Sequence, residues 1–301
     1  MAPQLLAVPN VAEGRDPGRI AALASAFSRG ASLLDRHSDA DHDRTVLTLA
    51  AAPPALRDAL LAGAEQALET LDMTAYAGLH PAVGALDVCP VVWLDPADRA
   101  AARTLALELA EQIGGLGVPV FLYGELATRP EHAERAYFRN GGLAELWLRM
   151  EGGELRPDSG PPAPHRTAGV TLVTARPPLA AFNVELDSAD PEVARAVAAG
   201  LRESGGGLPG VRAIGLRLGN GRTQVSTNVH DPLAVPLSQV AERVRALAAP
   251  LAARPLGAEI VGLVPAAALA GFPEDVPLGD FDPAEQTIEA RLGPPSERPG
   301  R

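Results

Sequence analysis

The chain has 301 residues, which is enough for about two domains of ordinary size, and 47% of its residues are hydrophobic. Its formal net charge is −11, and all 26 basic residues are arginines because the sequence contains no lysine. An acidic surface repels phosphate backbones, so we expect no nucleic-acid binding. The lack of lysine also excludes Schiff-base chemistry.

The composition also bears on the compartment. No apolar run approaches the ~20 residues of a membrane helix, so no membrane association is expected. The first residues show no basic segment followed by a long apolar stretch, and we expect no secretory signal. The single cysteine, Cys89, excludes an intramolecular disulfide. We therefore predict a cytoplasmic protein.

The first half of the chain is predicted to alternate strands and helices. Apolar, β-branched runs predict strands, and a proline after a capping residue predicts a helix start. In chain order we predict strand 5–8, helix 17–29, strand 31–35, a polar loop 36–43, strand 45–51, helix 53–71, strand 85–94, helix 96–116 and strand 118–123. Helical segments follow between residues 130 and 150.

Residues 151–169 are rich in glycine and proline and lack periodicity, which predicts either a linker or a loop that embraces a ligand. The pattern then begins again after a short strand at 170–174. We predict strand 180–186, helix 191–202, strand 211–218, strand 222–229, helix 236–249 and strand 259–264. Gly219-Asn220-Gly221 predicts a hairpin between two of these strands.

Both halves therefore follow the split βαβ order. We predict an α/β (α+β) fold with two ferredoxin-like βαββαβ subdomains, whose mixed sheets carry helices mainly on one face. The predicted subdomains are residues 1–175 and 176–292, followed by a disordered tail at 293–301. A ligand cleft is the default expectation where two such units meet.

His80 is the strongest candidate for chemistry. It lies in the stretch YAGLHPAVGALDVCP, residues 76–90, where a loop leads directly into an apolar strand. Pro81 disfavours a helix at His80, and the nearby glycines allow a ligand to approach the backbone closely. An imidazole can act as an acid or a base near neutral pH without heavy tuning of its pKa.

The polar loop before the third strand is the second candidate. It reads HSDADHDR at residues 37–44 and holds two imidazoles and three carboxylates. One interpretation is a solvated acidic loop whose aspartates cap turns. A second is an acid/base or substrate-orienting group that acts with His80. A third is a divalent metal site that uses His37, Asp41 and His42, with Asp39 and His80 as further ligands.

The third candidate is the segment GPPAPHRTAG at residues 160–169. Its prolines and its arginine suit a flat or anionic ligand, and the alternative is a plain interdomain linker.

Seven sequence blocks resemble the glutamate formimidoyltransferase family, in the family's order and over about residues 5–290. The blocks are VPNVAEGRD at 8–16, LLD at 33–35, HPAVGALDVCP at 80–90, VPVFLYGE at 118–125, AFNVEL at 181–186, QVSTNV at 224–229 and EIVGLVP at 259–265. The resemblance implies transfer of a formimino group from N-formimino-L-glutamate to N5 of tetrahydrofolate, a step of histidine degradation. It also implies a folate site between two α/β subdomains and a homodimer.

The same resemblance assigns roles to residues. It implies that His80 is the catalytic histidine, and His37 stands where the family has an assisting aspartate. With Asp39, two residues further on, these are the three predicted catalytic residues. It implies folate contacts from Gly160, Pro161, His165, Arg166, Thr167 and Gly169. It implies substrate contacts from Asn10, Arg44 and Asn183.

The chain departs from the family pattern around the histidine. Leu79 and Ala82 stand where the family usually has an acidic residue and an arginine, and Asp43 stands where it commonly has asparagine. Loss of that arginine weakens the anchoring of a carboxylate substrate. Two alternatives therefore stay open: a folate-binding homologue with changed or lost catalysis, and a metal-assisted enzyme that uses the HSDADHD loop.

Overall fold

The structure is a computed structural model that describes residues 4–293. The chain divides into two compact units; the first ends at Pro177 and the second begins at Pro178. The predicted disordered tail lies outside the described residues, apart from Gly293. No helix within residues 4–293 is long and apolar enough to cross a membrane.

Over residues 4–177, the first unit contains a seven-stranded mixed sheet and five α-helices. The strands are β1 (Leu5–Ala7), β2 (Asn10–Val11), β3 (Ser32–Asp39), β4 (Arg44–Ala51), β5 (Leu86–Val92), β6 (Val120–Leu122) and β7 (Thr171–Arg176). The helices are α1 (Pro17–Phe27), α2 (Pro53–Thr70), α3 (Arg99–Gly115), α4 (Arg135–Arg139) and α5 (Gly142–Glu151).

The strand order of this sheet contains a ferredoxin-like core with an extension. The short strands β1 and β2 flank Pro9 and act as one strand, which pairs with β4 on one side and with β5 on the other. β3 pairs with β4 at the edge, which completes the βαββαβ order. On the other side of β5, the strands β7 and β6 follow in parallel.

Both faces of β5 are covered, and all seven of its residues are buried. Cys89 and Val91 belong to the main core, which also contains residues of α1, α2 and α3. Val88 belongs instead to a second cluster, which contains Phe138 of α4 and Leu146 of α5. A strand buried on both faces reads as a nearly continuous apolar run, so a polar side chain within it needs a buried partner.

The second unit is a four-stranded antiparallel sheet in the order β11–β8–β10–β9. Its elements are β8 (Ala180–Leu186), α6 (Pro191–Leu201), β9 (Val211–Arg217), β10 (Thr223–Val229), α7 (Leu237–Ala248), β11 (Pro255–Val261) and α8 (Ile288–Leu292). The predicted hairpin joins β9 and β10, with Gly221 at a φ of +85°. The predicted fold class, two ferredoxin-like units, is confirmed.

One local prediction is corrected, and one of two alternatives for a second segment is excluded. The predicted polar loop 36–43 is mostly strand, because β3 continues to Asp39 and pairs His37 with Val46 in β4. Only residues 40–43 form the turn, so cross-strand pairing outweighs the polar composition here.

Residues 151–169, predicted as a linker or a ligand-embracing loop, belong to the first unit and do not link the two units. The Val120 N–H donates to the Ser159 carbonyl at 2.9 Å, and the Ala85 N–H donates to the Ala168 carbonyl at 2.9 Å. The segment therefore packs along the sheet and delivers the chain into β7, between β5 and β6.

Candidate active site

The loop before β5 places His80 against the turn of the β3–β4 hairpin. The Leu79 N–H donates to the Asp41 carbonyl at 3.0 Å. The Tyr76 hydroxyl lies 2.9 Å from the His42 carbonyl and 3.0 Å from the His80 carbonyl, so it bridges the turn and the loop. Gly78 is required at this contact, because a Cβ there would lie 2.4 Å from the His42 carbonyl oxygen.

The other end of the loop is fastened to the segment before β7. The Val170 N–H donates to the Val83 carbonyl at 3.0 Å, beside the Ala85 to Ala168 hydrogen bond. A Cβ at Gly84 would lie 1.8 Å from the Val170 carbonyl oxygen, so only glycine fits this crossing. The His80 backbone is thus held from two sides by elements distant in sequence.

The His80 imidazole is only 12% exposed and contacts one charged group on each nitrogen. Nδ1 lies 3.4 Å from Arg44 Nη1, and Nε2 lies 3.6 Å from Asp87 Oδ2. A guanidinium can only donate, so Nδ1 faces Arg44 with its lone pair. The proton of the neutral ring then lies on Nε2, toward the carboxylate.

Asp87 is the carboxylate at the centre of the site, with a side chain that is 1% exposed. Its Oδ1 accepts the Val83 N–H at 2.8 Å. Its Oδ2 accepts a hydrogen bond from Arg139 Nη2, on α4. The carboxylate therefore joins the His80 loop to the helical segment that covers the second face of β5.

Burial and charge together set the ionisation of these groups. Burial, reinforced by Arg44 and Arg139, lowers the pKa of His80 to about 3, although Asp87 opposes the shift. Burial would raise the pKa of Asp87, but Arg139, His80 and the Val83 N–H hold it below its usual value. Burial and Arg139 lower the pKa of Arg44 to about 10. At neutral pH the site thus holds a neutral imidazole, a carboxylate and two guanidinium groups.

The predicted hairpin residues lie next to this cluster to different degrees. Asp39 Oδ1 accepts the His42 N–H at 2.8 Å, and its charge acts on Arg44. The buried ring of His42 has its centroid 6.4 Å from that of His80. His37 is half-buried two residues before Asp39 on β3, and Asp41 is exposed in the turn.

The metal interpretation of the hairpin finds no support in the geometry. Within residues 4–293 no group of three or more His, Cys, Asp or Glu side chains is arranged to hold a metal ion. His37 and Asp39 lie on the paired strand β3 and Asp41 lies in the turn, so their backbone positions follow the register of the hairpin.

The segment predicted to bind folate forms a compact turn beside the His80 loop. His165 Nδ1 accepts the Ala168 N–H at 3.0 Å, and His165 pairs with Gly169 across the turn. The Thr167 carbonyl accepts the Met73 N–H at 2.7 Å, and Arg166 is exposed. At the other end, Gly160, next to the half-buried Pro161, has a φ of +82° and packs against the Val118 carbonyl.

The three predicted substrate-binding residues are not brought together by the first unit. Arg44 contacts His80, as described above. Asn10 is buried in β2, where its Nδ2 donates to the Val8 carbonyl at 2.9 Å. Asn183 lies in β8 of the second unit, where its Nδ2 donates to Glu259 at 3.1 Å.

Comparisons with known proteins identify the family. A family model described as the N-terminal subdomain of the formiminotransferase domain matches residues 4–176, and one described as the formiminotransferase domain matches residues 181–272. The chain belongs to the formiminotransferase family. It is 36% identical over 290 residues to a glutamate formimidoyltransferase of Streptococcus pyogenes, covering 95% of this chain and 97% of that protein.

Other formiminotransferase relatives are of two lengths. A glutamate formimidoyltransferase of Thermoplasma acidophilum is 35% identical, over 87% of this chain and 88% of that protein. A formimidoyltransferase-cyclodeaminase of Gallus gallus is 37% identical, over 89% of this chain but only 51% of that protein. This formiminotransferase chain thus matches the shorter relatives nearly throughout and the longer one over about half its length.

Sequence reasoning missed three residues of the candidate site in this formiminotransferase chain. Asp87 carried a usable signal, since a single carboxylate inside the apolar run LDVCPVV implies a buried partner. Tyr76 lies only four residues before His80, but nothing in the sequence marks its hydroxyl as a contact of the loop. Arg139 carried no signal, because it is distant from His80 along the chain.

Proposed function

We propose that this chain transfers the formimino group of N-formimino-L-glutamate to N5 of tetrahydrofolate, with His80 as the general acid/base. The names of its relatives and the extent of the family match support the reaction. The observation that carries the role of His80 is its neutral imidazole, held between Asp87 and Arg44. The reaction would serve histidine degradation and one-carbon metabolism.

In this mechanism His80 moves one proton in each direction. N5 of the folate forms a bond to the formimino carbon, and Nδ1 of His80 accepts the proton that N5 releases. The carbon–nitrogen bond to glutamate then breaks, and the imidazolium returns the proton to the leaving amine. The products are 5-formimino-tetrahydrofolate and L-glutamate, so atoms and charges balance.

Asp87 and Arg44 act on His80 in opposite directions. Asp87 faces Nε2 and stabilises the imidazolium that forms when Nδ1 takes a proton. Arg44 faces Nδ1 at 3.4 Å, a long contact that an incoming N–H group of a substrate can replace. The ring is therefore unprotonated before substrate arrives. Because Arg44 lowers the pKa of His80, its displacement from Nδ1 makes the ring a stronger base for the first proton transfer.

The residues beside His80 fit a flat co-substrate. The turn at 165–169 is fixed by the hydrogen bonds of Thr167 and Gly169 to the Met73 and His165 backbone. The turn is also fixed to the residue before β5, because the Ala85 N–H donates to the Ala168 carbonyl. A fixed backbone turn of this kind positions the hydrogen-bonding edge of a ring system.

A two-step titration tests the proposal. Tetrahydrofolate is added to the purified protein, formiminoglutamate follows, and 5-formimino-tetrahydrofolate is measured. We expect product from the wild type, a loss of ~10²-fold or more in kcat for His80→Gln, and little change for the exposed His230→Gln in the second unit. Unchanged turnover in His80→Gln would contradict the role of His80. Folate binding without product would favour the homologue with changed or lost catalysis.

Two further expectations belong to this proposal. The family resemblance predicts a homodimer, which light scattering on the purified chain tests directly. The single buried Cys89, whose pKa is raised to about 12 by burial, suits a cytoplasmic enzyme whose thiol takes no part in the reaction.

A further inference from the structure

Arg44 and Arg139 contact the His80–Asp87 pair, and two further arginines of the first unit, Arg135 and Arg176, lie close to each other. Arg44 begins β4, Arg176 ends β7, and Arg135 and Arg139 begin and end α4. Residues four apart on a helix lie on the same face, so Arg135 shares the face from which Arg139 reaches Asp87. The charge of Arg135 acts on each of the other three guanidinium groups.

Few carboxylates balance these charges. Arg139 is bound to Asp87, and Asp39 acts on Arg44. Arg176 donates to the Pro177 carbonyl at 2.9 Å instead, and the Arg135 guanidinium lies 5.8 Å from the centroid of the Tyr123 ring. Across residues 4–293, neither Arg135 nor Arg176 forms a salt bridge with a carboxylate.

This excess of positive charge is energetically unfavourable in a partly buried site. Burial and mutual repulsion lower the pKa of Arg44 to about 10, and burial together with Arg135 lowers that of Arg176 to about 10, although Tyr123 opposes the shift. Groups held in an unfavourable charge state cluster where a ligand supplies the missing charge. The missing charge here is negative.

We propose that Arg135, with Arg44 and Arg139 beside it, binds the carboxylate groups of the formimino donor. This inference rests on the proposed function, because it places an amino-acid donor next to His80. Arginine binds carboxylates through two parallel hydrogen bonds. Arg44, Arg135 and Arg139 against Asp39 and Asp87 leave an excess of positive charge, which suits the carboxylates of a glutamate-derived donor.

The inference also explains a departure from the family pattern. Ala82 is buried two residues after His80 and offers no charge to a substrate. α4 carries Arg135 and Arg139 to the same cluster from a segment more than fifty residues further along the chain. The anchoring of the donor thus comes from the helical segment between β6 and β7.

Glutarate, a dicarboxylate without a transferable group, is the probe. Its binding is measured by calorimetry to the full chain saturated with tetrahydrofolate, for the wild type, Arg135→Gln and the control Arg57→Gln. Arg57 lies on α2, outside the cluster, and pairs with its neighbour Asp58. We expect about tenfold weaker glutarate binding in Arg135→Gln and no change in the control. Arg135→Lys, which keeps the charge but not the planar fork, should lie between the two.

Steady-state kinetics separates the two sources of a carboxylate. If the site holds the donor, Arg135→Gln raises the KM for formiminoglutamate about tenfold and leaves that for tetrahydrofolate unchanged. If the KM for tetrahydrofolate rises instead, and the defect disappears with tetrahydropteroate, the site holds the glutamyl tail of the folate and the inference is overturned.

Two more outcomes keep this inference distinct from the proposed function. Absence of glutarate binding to the wild type, while formimino transfer proceeds, would overturn the inference and leave the function intact. Glutarate binding that is lost in Arg135→Gln, in a wild type without transferase turnover, would support the carboxylate site and contradict the function.

Discussion

The two units share a βαββαβ core but differ in where their ion pairs lie. In the first unit, β5 is buried on both faces and carries Asp87 into contact with Arg139. In the second unit, pairs such as Arg222–Glu185 lie at the surface of a regular antiparallel sheet. Exposed pairs contribute little to stability, whereas a buried pair fixes geometry and is costly to break.

The difference comes from the elements added to the first unit. β7 and β6 extend the sheet beside β5, α4 and α5 cover its second face, and α4 delivers Arg139 to Asp87. Within residues 178–293 the second unit has no such extension, and its corresponding strand β11 carries Glu259, which accepts a hydrogen bond from the amide of Asn183. The same βαββαβ core is therefore present in both halves, and the extension of the first unit adds Arg139 to the His80–Asp87 pair.

The largest expected difference between the two units is the loss of unfolding free energy when one carboxylate charge is removed from each. We expect Asp87→Asn to cost about 3–5 kcal/mol in the free energy of unfolding, because it leaves Arg139 buried without its partner. The half-buried Glu259→Gln should cost at most about 1 kcal/mol. Urea unfolding and kcat are measured for both variants. Equal losses of unfolding free energy in the two variants would show that the buried Asp87–Arg139 pair is no more important for stability than the half-buried Glu259.

The same comparison applies to acid stability. The folded-state pKa of His80 is lowered to about 3, whereas the unfolded chain has the ordinary value of ~6.5. Below pH 6.5 the unfolded state therefore binds a proton that folded His80 does not, and stability falls with pH down to about 3. From pH 7 to pH 5 this term amounts to about 2 kcal/mol, and His80→Gln should remove it.

Fluorescence makes this measurement specific to the first unit. The only two tryptophans of the sequence, Trp93 and Trp147, both precede Pro177. Urea unfolding followed by fluorescence at pH 7 and pH 5 thus compares the wild type with His80→Gln where the histidine lies. Groups common to both proteins, including the buried His132, cancel in the difference. Identical pH dependence would refute the assignment.

Removing one hydroxyl from each unit should have the smallest effect on stability but a clear effect on activity. Tyr76→Phe removes the hydroxyl that bridges the His42 and His80 carbonyls, and Thr223→Val removes one that donates to the Ser188 carbonyl at 2.9 Å. Each should cost about 1 kcal/mol. We expect only Tyr76→Phe to lower kcat, by ~10-fold with KM unchanged, because only Tyr76 positions His80.

If kcat falls in both variants, or in neither, the Tyr76 hydroxyl has no specific role in positioning His80 for catalysis. A rise in KM without a change in kcat would assign Tyr76 to substrate binding instead.

The sequence alone determined the features that depend on neighbouring residues. The order of strands and helices, the hairpin at Gly219-Asn220-Gly221 and the loop that carries His80 follow from local hydrophobic periodicity and turn chemistry. These signals act within a few residues, so they can be read before the chain folds.

Only the tertiary structure decided which side chains meet His80. Arg139 is 52 residues from Asp87 along the chain, and β7 enters the sheet between β5 and β6 after a segment without regular periodicity. The strand β3 also extends through residues that read as a polar loop, because β4 pairs with them. These contacts depend on the pairing and burial of segments that are distant along the chain. The free energy of such contacts cannot be inferred from any short stretch of sequence.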